Sequence, residues 1–237
     1  MSRDGSMLEV AGLCAGYGGT PVLHGVQLGV ERGEIVALIG RNGVGKSTTM
    51  RCLIGLLRAT AGTIRYAGEE VTQLPADGRA RRGIGYIPQG REVFPRMTVE
   101  ENLAVGELIG AGRHQRHADR VYQYFPVLKE RRRQLAGTLS GGQQQQLAIG
   151  RALIGGPELL LLDEPSEGVQ PNLVQSIVRV LRSIRDELGT TIVFVEQNLE
   201  TILTLADRCC VMEKGRVVAA IPQGEVTSER VRQHLLL

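Results

Sequence analysis

The chain has 237 residues, 42% of them hydrophobic and 22% charged, with a net charge of +3. That length buries a sizeable core in one or two domains, and so small a charge does not by itself argue for a nucleic-acid partner. Tryptophan is absent and aromatics make up 3% of the chain, which argues against a base-stacking platform; no apolar run approaches the roughly 18 residues of a membrane helix.

In chain order, Met1 to Met7 reads as a loose polar leader without signal-peptide character. Residues 7–30 and 62–66 read as short strands without intervening helices, which suggests an antiparallel side sheet. "EIVALIG" (Glu34–Gly40) is strand-like, and the helix expected after it carries Met50, Leu53, Ile54 and Leu57 on one face. Residues 92–156 read as mainly helical, with capping-box patterns at Thr98/Glu101 and Ser140/Gln143. "ELLLLDE" (Glu158–Glu164) is the continuous apolar run of a strand covered on both faces. A helix entered through Pro171 places Leu173, Ile177, Leu181, Ile184 and Leu188 together. "TIVFVEQ" (Thr191–Gln197) is a further strand, and Leu199, Ile202, Leu203 and Ala206 mark the helix after it. This alternation predicts an α/β fold with a mostly parallel sheet. The clusters Arg79–Arg82 and Lys129–Arg133 read as solvated faces. Cys14, Cys52, Cys209 and Cys210 have neither metal nor disulfide spacing and read as reduced thiols.

"GRNGVGKST" satisfies G-x-x-x-x-G-K-[ST] at Gly40, Gly45, Lys46 and Ser47, between a predicted strand and a predicted helix. Glycines let successive N–H groups turn inward on an anion, and the helix N-terminus adds partial positive charge. Asn42, Gly43, Gly45, Lys46, Ser47 and Thr48 are therefore the expected nucleotide-binding residues, with Lys46 on the β- and γ-phosphates and the Ser47 hydroxyl on Mg²⁺. Asp163, at the end of the four-leucine run, suits coordination of that Mg²⁺, and the adjacent Glu164 is placed to polarise the attacking water. In "LSGGQ" (Leu139–Gln143), Ser140, Gly141, Gly142 and Gln143 open a second helix end suited to an anion. Two such ends in one chain suggest two chains paired head to tail, each completing the other's site.

"LSGGQ" resembles the signature of ATP-binding cassette (ABC) ATPases, and with the other motifs the resemblance runs from about residue 8 to 222. It implies a P-loop NTPase (RecA-like) core, with an antiparallel β subdomain and an inserted helical subdomain. The whole of 1–237 is then a single ATPase domain, with 8–91 and 157–237 forming the core and 92–156 the helical part. By the same resemblance Tyr17 stacks on adenine, and Gln89 reaches Mg²⁺ and the water and couples to a membrane subunit. Ser166–Gln170 crosses between paired subunits, and Arg91, Val93, Phe94 and Met97 are candidates for the membrane-subunit contact. Gln197 stands where most cassettes carry histidine; glutamine can donate to a phosphate oxygen and accept from water but cannot relay a proton.

The implied activity is ATP hydrolysis energising solute uptake, with ATP and Mg²⁺ as ligands, from the cytoplasmic face of the membrane. The implied partners are a second cassette, identical or related, two membrane permease subunits and, indirectly, a solute-binding protein; nucleic acid is not among them. "PQGREVFPRMTVEENL" and "LLLDEPSEGVQP" resemble the branch serving branched-chain amino acids, urea or short amides, and "RNGVGK" with "QQQQLAIGRAL" leans toward urea. Cassettes also serve in translation and DNA repair, usually as tandem copies with a basic linker or around a long coiled coil. This chain has one copy, no such linker, and no sustained heptads.

Overall fold

The computed structural model describes residues 5–109 and 117–235. Its strands are β1 (Ser6–Tyr17), β2 (Thr20–Glu31), β3 (Ile35–Ile39), β4 (Ala61–Tyr66), β5 (Glu69–Glu70), β6 (Ile84–Ile87), β7 (Leu159–Asp163), β8 (Thr191–Val195), β9 (Arg208–Glu213) and β10 (Arg216–Ile221). The helices are α1 (Lys46–Ile54), α2 (Ala76–Ala80), α3 (Val99–Ile109), α4 (His117–Tyr124), α5 (Pro126–Glu130), α6 (Gly141–Ile154), α7 (Pro171–Leu188), α8 (Leu199–Leu205) and α9 (Ser228–Leu235). The strands sort into a four-stranded antiparallel sheet, β2-β1-β4-β5, and a six-stranded sheet, β10-β9-β3-β8-β7-β6. In the larger sheet β9, β3, β8, β7 and β6 run parallel, and β10 closes the edge antiparallel.

The period-two geometry of a strand explains why β7 and β8 are apolar throughout. Leu160, Leu162, Ile192 and Phe194 face one core with α6, α7 and α8. Leu159, Leu161, Val193 and Val195 face the other, with α1 and the antiparallel sheet. Every residue of β3, β7 and β8 is buried, and β7 ends in Asp163 at the carboxyl edge, where open α/β sheets bind ligands. Both expected capping boxes form. Thr98 N–H donates to Glu101 Oε2 at 2.7 Å and Glu101 N–H returns to Thr98 Oγ1 at 3.2 Å. Ser140 N–H donates to Gln143 Oε1 at 3.0 Å and Gln143 N–H to Ser140 Oγ at 3.4 Å.

Four expectations are corrected. Met7 is not part of a leader: it lies in β1 and is 1% exposed, while residues 1–4 fall outside the described chain. Leu57 lies beyond α1, which stops at Gly55 with a left-handed φ of 86°. Ala206 caps α8 instead of continuing it, and Thr201 joins Ile202 and Leu205 on the buried face. Arg79 is not solvated but 2% exposed. Its guanidinium donates to the carbonyls of Cys52 (2.6 Å), Leu53 (2.8 Å), Thr72 (2.9 Å) and Leu74 (3.0 Å). Two of those carbonyls end α1, where the helix dipole favours a cation. A methyl group at Gly55 would come within 3.0 Å of Arg79 Nε, so the glycine both turns the chain and leaves room for the guanidinium.

Cys52, Cys209 and Cys210 are buried, Cys14 is half-buried, and all four are free thiols. Burial pushes the Cys52 and Cys209 thiols up to about 12.

Arg79→Ala leaves four buried carbonyls without their donor and should lower stability by about 3 kcal/mol in urea denaturation. Arg79→Lys should recover only part of that, having one nitrogen to offer. A loss below about 1 kcal/mol would place the cation among ordinary surface charges.

Candidate functional site

The β3–α1 turn is built by backbone conformations that glycine allows. Gly40, Gly43 and Gly45 all have positive φ, of 144°, 78° and 106°. A methyl on Gly40 would meet the Met212 carbonyl oxygen at 2.3 Å, and one on Gly45 would meet Leu23 Cδ2 at 2.8 Å. The turn therefore seats tightly on β9 and β2. It borders a cavity of about 430 Å³ lined on this side by Asn42, Gly43, Gly45, Lys46, Ser47 and Thr48. Gln89, Glu164, Glu167 and Gln197 line the cavity too. Val22 of β2 adds an apolar wall that carries no sequence motif.

Lys46 is 5% exposed. Its Nζ donates to the carbonyls of Gly40 at 2.7 Å and Arg41 at 2.8 Å, bridging the turn. Burial lowers its pKa, partly offset by Glu164 and Asp163. Ser47 Oγ donates to Asp163 Oδ1 at 3.0 Å, which joins the start of α1 to the end of β7. Asp163 is 2% exposed, and burial raises its pKa against the opposing Ser47 hydrogen bond. Glu164 has a left-handed φ of 50°, a conformation uncommon outside glycine that concentrates at functional sites. Its N–H donates to the Val195 carbonyl at 3.0 Å.

Two amides hold the Glu164 carboxylate. Gln197 Nε2 donates to Oε1 at 2.7 Å, and Gln89 Nε2 approaches Oε2 at 3.5 Å while donating to Glu167 Oε2 at 3.0 Å. The strand end thus points Gln197 at Glu164. Of the chain's four histidines, His24 and His234 do not line the cavity, and neither His114 nor the side chain of His117 is among what the structure describes.

Not every predicted residue meets here. Tyr17 ends β1, is 44% exposed, and its hydroxyl accepts from Arg51 at 3.4 Å; it does not line the cavity. Ser140, Gly141, Gly142 and Gln143 do not line it either. They begin α6 beside Arg91, Gly168 and Leu173. The two anion-suited helix ends of one chain therefore do not share a cavity. Arg91 turns inward, with Nη2 donating to the carbonyls of Glu167 at 2.8 Å and Gly168 at 3.1 Å. Phe94 is 43% exposed and carries the Arg151 guanidinium over its ring at 4.9 Å. Val93 packs against the core and Met97 is half-buried.

Two further residues have evident structural weight. Asn102 is fully buried and staples the loop before α3: its Oδ1 accepts from Phe94 N–H at 2.9 Å, and its Nδ2 donates to the Phe94 and Thr98 carbonyls. Glu196 is 2% exposed. Its Oε1 accepts from Ser166 N–H at 2.9 Å, and its Oε2 accepts from the N–H groups of Gln197 at 2.9 Å and Asn198 at 3.0 Å. It ties the loop after β7 to the loop after β8.

The family profile described as "ABC transporter" matches residues 23–167. The high-affinity branched-chain amino acid transport ATP-binding protein BraG of Pseudomonas aeruginosa is 51% identical over 203 residues, covering 85% of this chain and 87% of that protein. The probable branched-chain amino acid transport ATP-binding protein LivF of Archaeoglobus fulgidus is 36% identical, covering 89% and 90%. Among solved structures, a nucleotide-free ATP-binding cassette from an ABC transporter superposes with a TM-score of 0.85 at 27% identity, covering 96% of this chain and 95% of that one.

Glu196→Gln retains one acceptor oxygen and turns an amide donor toward one of its N–H partners. Oε2 serves two adjacent N–H groups, so the bond to Ser166 should be the one lost. Hydrogen exchange at the Ser166 amide should accelerate while those of Gln197 and Asn198 stay slow, with about 1–3 kcal/mol of stability lost. Unchanged exchange at Ser166 would sink the assignment.

Proposed function

This chain belongs to the ABC transporter family as its ATP-hydrolysing subunit, and we propose that it drives uptake of branched-chain amino acids through partner membrane subunits. The observation that carries the reading is the meeting of the phosphate turn, Glu164 and Gln89 at one cavity, with Asp163 bonded to Ser47 behind it. The relatives that support it are transport subunits, which leaves the translation and DNA-repair alternatives without support. For the cargo, 51% identity to a branched-chain amino acid subunit favours those amino acids over urea or short amides.

In this reading the turn Asn42–Thr48 binds the ATP phosphates. Lys46 leaves the Gly40 and Arg41 carbonyls for the β- and γ-phosphates, and its burial strengthens that attraction. Three carboxylates, Asp163, Glu164 and Glu167, stand by this turn with Lys46 as the amine among the lining residues, so a triphosphate calls for a further cation. Among the described residues no cluster of three or more His, Cys, Asp or Glu side chains forms a metal site by itself. That suits Mg²⁺, which takes one or two protein oxygens together with phosphate and water. Ser47, Asp163 and Gln89 are the residues proposed to hold it, and when bound it supplies charge neutralisation at the phosphate oxygens.

Glu164 is the proposed general base, with Gln197 positioning its carboxylate and the water. Tyr17 is the proposed adenine contact. The start of α6, from Ser140 to Gln143, is proposed to act on the γ-phosphate held by a second cassette, since it lies away from the chain's own cavity. Among the described residues no helix is long and apolar enough to cross a membrane. The proposed station, by likeness to the transport subunits above, is peripheral, against permease subunits at the cytoplasmic face, with the loop at Val93–Met97 among the contacts.

Reconstituted with its membrane subunits and solute-binding protein in vesicles, the chain should drive ATP-dependent accumulation of leucine, isoleucine or valine. Gln197→Ala should lower turnover at least about tenfold with ATP affinity retained. Accumulation of urea without leucine would move the cargo to the amide branch. Recovery with ribosomes instead of membrane proteins after detergent extraction would overturn the transport reading.

A further inference from the structure

A second cavity, of about 380 Å³, lies between α7 and α8 beside the loop after β7. It shares no lining residue with the nucleotide cavity, and its size is that of a small-molecule site. Helical spacing builds its α7 wall. Val174 and Val178 stand four residues apart and form an apolar stripe; Gln175 and Arg179, also four apart, form a polar stripe next to it. Val169 extends the apolar wall from the loop, and Glu200 and Thr201 of α8 line the cavity too.

Arg179 and Glu200 border one cavity with opposite charges, yet they do not pair. Glu200 Oε1 accepts from Gln175 Nε2 at 3.1 Å, which leaves Oε2 to spare. Among the described residues Arg179 has neither a hydrogen bond nor an ion pair. Thr201 is 3% exposed. Its N–H donates to Asn198 Oδ1 at 2.9 Å, but its Oγ1 has no partner. A helical threonine commonly returns its hydroxyl to the carbonyl four residues back, and buried hydroxyls are nearly always paired. An orphaned hydroxyl on the wall of a cavity that also offers one cation and one anion calls for a polar ligand.

We propose that this cavity binds a free α-amino acid with a branched aliphatic side chain. Arg179 takes the carboxylate, Glu200 takes the ammonium, the Thr201 hydroxyl donates to a carboxylate oxygen, and the three valines cover the side chain. The pair of charges selects the class. A plain anion would be repelled by Glu200 and a plain cation by Arg179, while an uncharged apolar molecule would use neither. The choice of a branched side chain as the probe rests on the cargo reading above; the two unpaired charges and the valine wall belong to the chain itself. Ser166 and Asn198 also line the cavity, and Glu196 accepts from both of their N–H groups. The occupant therefore lies against the two loops that Glu196 joins.

The test is calorimetric titration of the full chain with L-leucine, alongside two molecules that each lack one of its charges, 4-methylpentanoate and 3-methylbutylamine. Leucine should bind with a Kd of about 1 mM or below, and each truncated molecule at least about tenfold more weakly. Arg179→Gln and Glu200→Gln change exposed side chains, and the second keeps the oxygen that Gln175 uses. Both should weaken leucine at least about tenfold while ATP binds as before. Thr201→Val should weaken leucine too, and it should raise the stability of the free chain by removing an unpaired hydroxyl. Hydrogen exchange with leucine present should slow in the peptides spanning Ser166–Val174 and Asn198–Thr204. No binding at 10-fold above that Kd would overturn the proposal, as would equal affinity for either truncated molecule, affinity unchanged in both charge variants, or protection confined to other peptides. These measurements need no transport, so accumulation of urea in vesicles would overturn the cargo reading and leave leucine binding here standing.

Discussion

One hydrogen bond, from Ser47 Oγ to Asp163 Oδ1 at 3.0 Å, fixes the frame of the site. It joins the first turn of α1 to the end of a strand with no exposed residue, and so sets the phosphate turn against the carboxylates that follow β7. Asp163 is held there at a cost: burial disfavours its charged form, and the Ser47 hydroxyl offsets only part of that penalty. A buried carboxylate whose charge is under-compensated is poorly justified as a stability device and well suited to receiving a cation. Glu164, one residue on, completes the turn of the chain in a strained conformation tied to β8 through the Val195 carbonyl.

Around that frame the chain gathers loops that are distant in sequence. Glu196 fastens the loop after β7 to the loop after β8, and Arg91 fastens the same loop to the one after β6. These are side-chain-to-backbone bonds, which set where a loop lies without depending on which side chains the loop carries. The side chains that line the cavity bond to one another instead. Gln89 divides its amide between Glu164 and Glu167, and Gln197 spends its own on Glu164.

The parts legible in the sequence were those whose cause is local. The glycines of the phosphate turn, the two capping boxes and the unbroken apolar runs of β7 and β8 announce themselves within a few residues, because backbone conformation and strand burial act at that range. Arg79, Glu196 and Arg91 gave no such notice. Each is a charged residue whose partners are backbone groups, at least one of them on another segment, and backbone groups leave no trace in residue identity. Arg79 in particular read as one member of a solvated basic cluster, since nothing near it reveals that Cys52 and Leu53 end a helix against it. The left-handed stop at Gly55 likewise outweighed the apolar periodicity that carried the expected helix on to Leu57.

The separation of the two anion-suited helix ends within one chain has a consequence for how activity scales. Under the proposed pairing, neither cassette completes a site alone, and closure takes up two nucleotides together. Below saturation the closed population then grows with the square of the ATP concentration. Uptake driven this way falls away more steeply than ATP itself when a cell is short of energy, a built-in restraint on spending that arises from geometry and needs no separate regulator.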